Sequence, residues 1–215
     1  MPSLYLDTTG NLLAGILADD QSNWLAWEEV AAQKTSAVIY PLLHRLLDQQ
    51  NLTLAAVQNF YYVAGPGSYT GMRLAEGLAQ IIRWKIPVRS FYHFQVPALL
   101  GERDGLWFCS AFKQEYFIYR WSPTNTQTSL VKEAQLGATL VQAAQSGAKI
   151  YTHFVSLLKA EVRPPTISLH STAQLVQQHP ALLGQITPTL AQGPYYFRGL
   201  DQEFRQGKVP TFKKV

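Results

Sequence analysis

Hydrophobic and polar positions change period along the chain, and the changes divide it into elements. Residues 3–7 and 12–18 are short apolar runs on either side of the turn-forming "TTGN", the pattern of a β-hairpin. "NWLAWEE" supplies a third strand. From Lys34 to Gln49 the spacing becomes helical, with Ile39, Leu42, Leu43, Leu46 and Leu47 on one face and Thr35 or Ser36 as cap. Pro41 lies too deep for a first-turn proline, which predicts a late start or a kink. "FYYVA" reads as a strand, Thr70–Arg83 as a helix, "IPVRS" as a strand and "FQVPALLG" as a short helix. Strands alternating with helices after an opening hairpin predict an α/β sheet, partly parallel and partly antiparallel.

The turn-rich "GERDG" at Gly101–Gly105 marks a boundary, giving an N-terminal domain over 1–103 and a smaller one over 104–215. Beyond it a second hairpin, "LWFCSAF" and "EYFIYRW", flanks Lys113 and Gln114. The stretch "SPTNTQTS" reads as a loop, Glu133–Ala144 as a helix and "AKIYT" as a strand. The second half thus repeats the hairpin-then-helix opening of the first in reduced form.

Composition narrows the classes. Hydrophobic residues make up 47% and charged residues 15%, a lean supply for a solvated surface, so part of that surface is expected to be covered by a partner. The net charge of +4 gathers partly in "FRQGKVPTFKK", which reads as a solvated tail. The single cysteine, Cys109, excludes an intrachain disulfide and a cysteine-ligated zinc site. "MPSLYLDTTG" lacks a basic leader, and no apolar run approaches a membrane span. The expectation is a cytoplasmic protein with no membrane contact.

Candidate chemistry centres on "VAGPGSYTGMRLAEGLA". Gly65 and Gly67 fit the start of a dinucleotide fingerprint, but position 70 is Thr, and no Lys-Ser/Thr pair follows to complete a P-loop. Gly65 and Gly67 still permit a tight turn, and Ser68 and Thr70 can cap the helix that follows, whose free N–H groups suit an anion. That helix should bury Gly71, Leu74, Ala75, Leu78 and Ile82. Its opposite stripe, Arg73, Gly77, Gln80 and Trp84, pairs a glycine with a tryptophan, which fits either a docking face or a helix that ends before Trp84 and tucks it into the core. The first helix has a second face too, with Val38, Pro41, His44 and Arg45.

Catalytic constellations are missing. His44, His93, His153, His170 and His179 form no H-x-x-x-H or H-E-x-x-H pair, so each reads as structural or surface and no metal site is expected. Ser68 lacks the surroundings of a nucleophile elbow. Asp7 and Thr8 close the first strand, where the carboxylate can cap a turn or serve a metal–phosphate; Glu115 opens a strand far away in sequence, a weak basis for paired acid–base work.

On "LYLDTT", "VAGPGSYTGMRLAEGLA", "IPV", "AFKQEYFIY" and "PYYFR", the chain resembles the TsaB family, also called glycoprotease-like. The resemblance implies an actin-like fold of two ribonuclease-H-like halves, mixed sheets flanked by helices, with the second half reduced. It implies a non-catalytic subunit that pairs with the catalytic subunit TsaD and, with the ATPase TsaE, serves threonylcarbamoylation of the tRNA adenosine beside the anticodon. It further implies a homodimer when alone, contact with tRNA only through the complex, and no tightly bound cofactor, with ATP or ADP at the partner interface as the one nucleotide expected. Pairing would use the two helices over Thr35–Gln49 and Thr70–Trp84. The sequence departs from the family at Lys34-Thr35-Ser36, where His-Ser-Glu is usual, and at Ser110-Ala111-Phe112-Lys113, where Asp-Ala-Arg-Arg is usual. The alternative is an independent actin-like ATPase or phosphotransferase using Asp7; a peptidase has no nucleophile or metal constellation to support it.

Overall fold

The computed structural model describes residues 1–31, 35–111, 114–158, 166–186 and 192–197. Strand β1 (Ser3–Asp7) pairs antiparallel with β2 (Leu12–Leu17), and β2 with β3 (Trp24–Val30). Helix α1 (Thr35–Gln49) crosses to β4 (Asn59–Val63), and α2 (Tyr69–Ile82) crosses to β5 (Val88–Phe91). β4 lies parallel to β1, and β5 parallel to β4, giving the order β3-β2-β1-β4-β5. After the short α3 (Val96–Leu99) the plan repeats with β6 (Gly105–Ser110), β7 (Glu115–Trp121), β8 (Thr126–Lys132), α4 (Glu133–Gln145), β9 (Lys149–Thr152) and β10 (Leu169–Ser171). Read from its other edge, this sheet runs β8-β7-β6-β9-β10, the same topology. Two mixed sheets of ribonuclease-H-like order, flanked by helices, make an actin-like fold.

β1, β2 and β4 are buried along their whole length because helices cover both faces of the first sheet. One face packs Leu4, Leu6, Ile16 and Phe60 against Leu43 and Leu46 of α1 and Ala75 and Ala79 of α2. The opposite face packs Tyr5, Tyr61 and Phe91 against Val176 and Leu183, the former on α5 (Thr172–Gln178) and the latter in the 3-10 turn after it. The end of the described chain thus returns to the first sheet. Among the described residues, no helix is long and apolar enough to cross a membrane.

Three local expectations change. "SPTNTQTS" is not all loop, since β8 begins at Thr126 and pairs with β7 from Trp121↔Thr126 to Glu115↔Lys132. It is an edge strand, largely exposed, so nothing imposes the apolar alternation that would reveal it. In α2 the core positions are Gly71, Met72, Ala75, Ala79 and Ile82, while Leu74 and Leu78 are half-buried, so the buried stripe is rotated from the one expected. α1 does not start late: it runs from Thr35 with Pro41 inside, on its exposed side.

Candidate functional site

The glycine turn meets protein backbone. A Cβ on Gly67 would lie 2.4 Å from the carbonyl oxygen of Thr9, and one on Gly71 would lie 1.7 Å from that of Thr8. Only glycine permits that approach. The Ser68 N–H donates to Thr9 O at 2.7 Å, and the Thr8 hydroxyl donates to Gly71 O at 2.7 Å. Ser68 caps α2 by accepting from the Gly71 N–H at 3.2 Å. Gly65, at φ +116°, turns the chain so that its carbonyl accepts from the His93 N–H at 2.9 Å. The turn therefore fixes the end of β1 and His93, two residues past β5, in one place.

What it fixes is a buried polar cluster at the carboxyl ends of the strands, next to the point where the strand order reverses between β1 and β4. Asp7 ends β1, His93 follows β5, and His153 follows β9 of the second sheet. Asp7 Oδ2 lies 3.2 Å from His93 Nε2 and 3.4 Å from His153 Nε2. The Thr9 hydroxyl sits among them, 2.6 Å from Asp7 Oδ1, 2.8 Å from His93 Nε2 and 2.7 Å from His153 Nε2. Asp7 and His93 are wholly buried and His153 nearly so.

The orientation of His93 follows from its neighbours. Thr172, at the start of α5, donates its hydroxyl to Thr152 O at 3.1 Å and accepts from the Trp107 Nε1–H at 3.4 Å. It can therefore only accept from His93 Nδ1, 3.1 Å away, so that nitrogen carries a proton and Nε2 faces Asp7 and Thr9. Burial opposes ionisation of Asp7, but the two imidazoles outweigh it and hold the carboxyl well below the usual range. Burial and the neighbouring His93 hold His153 down to about 4, with Asp7 offsetting part of the effect.

Sequence reasoning assigned neither His93 nor His153 to the site. Each stands just past the carboxyl end of a strand, in "YHF" and "THF", and that position is the only local signal. Asp7, Thr8, Gly65, Gly67 and Ser68 come together around the cluster or its supporting turn; Thr70 points to solvent. Glu115 lies at the start of β7, apart from the Asp7 group. On the helices, Pro41, Arg45, Arg73, Gly77, Gln80 and Trp84 are exposed, whereas Val38 is half-buried against the first core. Arg45 pairs with Glu28 of β3 at 2.5 Å, and Arg73 stacks over Tyr69 and donates to the Tyr196 hydroxyl at 3.3 Å. α2 does end before Trp84, at Ile82, but Trp84 does not tuck into the core: it is 84% exposed, with Tyr40 at 72% and Ile81 at 71%. A Cβ on Gly77 would meet nothing within 4 Å. Lys34, Phe112, Lys113 and the basic tail lie outside the described residues.

Between the two halves, a cavity of about 230 Å³ reaches Thr9, Gly67, Cys109 and His153. It is smaller than the roughly 300–1,000 Å³ of typical small-molecule pockets, and Asp7 does not line it.

A family model described as TsaD, tRNA N6-adenosine threonylcarbamoyltransferase, matches residues 28–102. The fold is similar to that of a Pseudomonas aeruginosa protein described as uncharacterized with similarity to peptidase YeaZ, with a TM-score of 0.61, 19% identity, and coverage of 92% of this chain and 99% of that one. It is also similar to that of YeaZ from Pseudomonas aeruginosa, with a TM-score of 0.57, 18% identity, and coverage of 91% and 99%. No curated protein matches the sequence significantly.

Proposed function

We propose that this chain is a TsaB-type scaffold subunit of a tRNA-modifying assembly, docking a TsaD-type catalytic subunit through the outer faces of α1 and α2. The observation that carries this reading is the surface of those helices. Tyr40 of α1, Ile81 of α2 and Trp84 after it are more than two-thirds exposed, and a Cβ on Gly77 of α2 would meet open space. Large aromatic side chains are favoured interface anchors, and a glycine on the same face lets another backbone approach closely. The match of residues 28–102 to the TsaD model spans both helices, which is expected if this half descends from a common ancestor with the catalytic subunit. The YeaZ likeness in fold supports the same assignment.

In this reading the chain is cytoplasmic, pairs with itself when alone, works beside a TsaE-type ATPase and touches tRNA only through the complex. Where nucleotide takes part, ATP or ADP sits at the interface with the partner. The alternative of an independent phosphotransferase requires Asp7 to reach a metal–phosphate, and its carboxylate is wholly buried under two imidazoles and Thr9.

The test is light scattering on size-exclusion fractions of the chain alone and mixed with TsaD from the same organism. The expected result is a homodimer that converts to a one-to-one complex, and a Gly77→Arg variant that folds but does not assemble. A chain that ignores TsaD, or assembly unchanged by Gly77→Arg, overturns the reading.

A further inference from the structure

Several atoms able to ligate a metal converge in the buried cluster. Both Asp7 oxygens, His93 Nε2, His153 Nε2 and Thr9 Oγ1 point inward; the Thr9 N–H donates to Asp7 Oδ1 at 2.8 Å, and the Thr9 hydroxyl has one hydrogen for three neighbours within 2.8 Å. His93 has its Nδ1 hydrogen turned away, toward Thr172. One ligand atom from each of Asp7, His93 and His153 falls within 4.8 Å of the others. A buried carboxylate beside two imidazoles is costly unless positive charge offsets it, as a proton on an imidazole or as a bound cation.

We infer that Asp7, His93 and His153 form a structural site for a divalent transition metal of the zinc class, clamping the two halves of the molecule together. Two imidazole nitrogens and one carboxylate suit Zn²⁺ better than Mg²⁺ or Ca²⁺, which prefer all-oxygen shells. The spacing fits as well. Zn–N and Zn–O bonds of about 2.0–2.1 Å in a tetrahedron place neighbouring ligand atoms about 3.3–3.4 Å apart. The contacts from Asp7 Oδ2 to the two Nε2 atoms are 3.2 and 3.4 Å. A water arriving through the cavity that reaches Thr9 and His153 completes the shell, since Thr9 Oγ1, 2.8 and 2.7 Å from the two Nε2 atoms, sits at hydrogen-bond rather than co-ligand spacing. Thr172 is the positioning residue: by accepting from His93 Nδ1 it fixes the ring with Nε2 inward, as outer-shell partners of metal-bound histidines do. Asp7, Thr9 and His93 come from the first half and His153 from the second, so the ion would bridge the two sheets.

The test uses the full chain, stripped with a chelator and then titrated with Zn²⁺, Co²⁺ or Mg²⁺. Zn²⁺ should bind at about one equivalent per chain and raise Tm, Mg²⁺ should do neither, and Co²⁺ should give the intense visible bands of a tetrahedral N/O site. Thr172→Val should weaken Zn²⁺ binding about 10–100-fold and shift the Co²⁺ spectrum. His153→Asn should abolish the Co²⁺ bands, and if it does not fold the wild-type titrations decide. Stripped wild-type protein that binds no Zn²⁺, or responds equally to Mg²⁺, overturns the inference and leaves a proton-sharing network. Metal binding is read on the isolated chain, so its failure says nothing about assembly with TsaD.

Discussion

Asp7 and His93 lie 86 positions apart in numbering and 3.2 Å apart in space, carboxylate to Nε2, with both side chains wholly out of solvent. A charge in such a place is tolerable only while its partners remain. Asp7→Ala removes the carboxylate and leaves two imidazoles and Thr9 facing an empty site. We expect a loss of about 3–5 kcal/mol, the usual result of breaking a buried ion pair from one side, read from urea unfolding at fixed protein concentration. A change under about 1 kcal/mol would show that the carboxylate is not paired as described.

The glycines of the second helix and its turn should behave oppositely. Gly71→Ala forces a methyl into the Thr8 carbonyl, a backbone atom that cannot step aside, and should cost about 3 kcal/mol or more. Gly77→Ala meets open space and should stabilise the isolated fold by up to about 1 kcal/mol through helix propensity alone. Equilibrium unfolding of the two variants side by side checks both; equal effects would contradict the packing of Gly71 on Thr8.

Trp84 separates folding from assembly. Trp84→Ala should leave urea stability within about 0.5 kcal/mol, because the ring touches solvent more than core. The same change should weaken TsaD binding by about 2 kcal/mol or more, roughly thirtyfold in Kd, if the ring is a central anchor. Titration calorimetry with the partner gives the second number, and unchanged affinity would move the docking face elsewhere.

Cys109 gives a pH signature. Burial pushes its thiol well above the ordinary range, so the folded state keeps the proton that the unfolded state releases above about pH 8.5. The unfolded state then binds fewer protons, and stability falls as pH rises through that value. Wild type should lose Tm between about pH 8.5 and 9.5 more steeply than Cys109→Ala, even though the variant starts lower because of its cavity. Parallel slopes would mean that the thiol titrates alike in both states.

Local pattern and tertiary structure contributed different things. The hairpin, α1 and α2, the turn between β4 and α2, and the hairpin of the second half were all legible, because each buries its apolar positions with a period the sequence repeats. The outward stripe of α2 was legible for the same reason: Arg73, Gly77 and Gln80 follow one another at helical spacing and are exposed, as is Trp84 just past the helix end. Strand β8 was not, since an edge strand held by backbone bonds to β7 can be polar throughout its first half. Met72 and Ala79 displaced Leu74 and Leu78 from the deepest positions because the close seating of Gly71 on Thr8 sets how α2 is turned against the sheet. Of the buried cluster only Asp7 could be read as a candidate; its histidine partners could not. Histidine spacing along a chain reveals a site only when one helix or loop supplies the ligands, and here Asp7, His93 and His153 stand at or just past the ends of three separate strands in two sheets. Their meeting depends on how the two sheets come together, which no local period encodes.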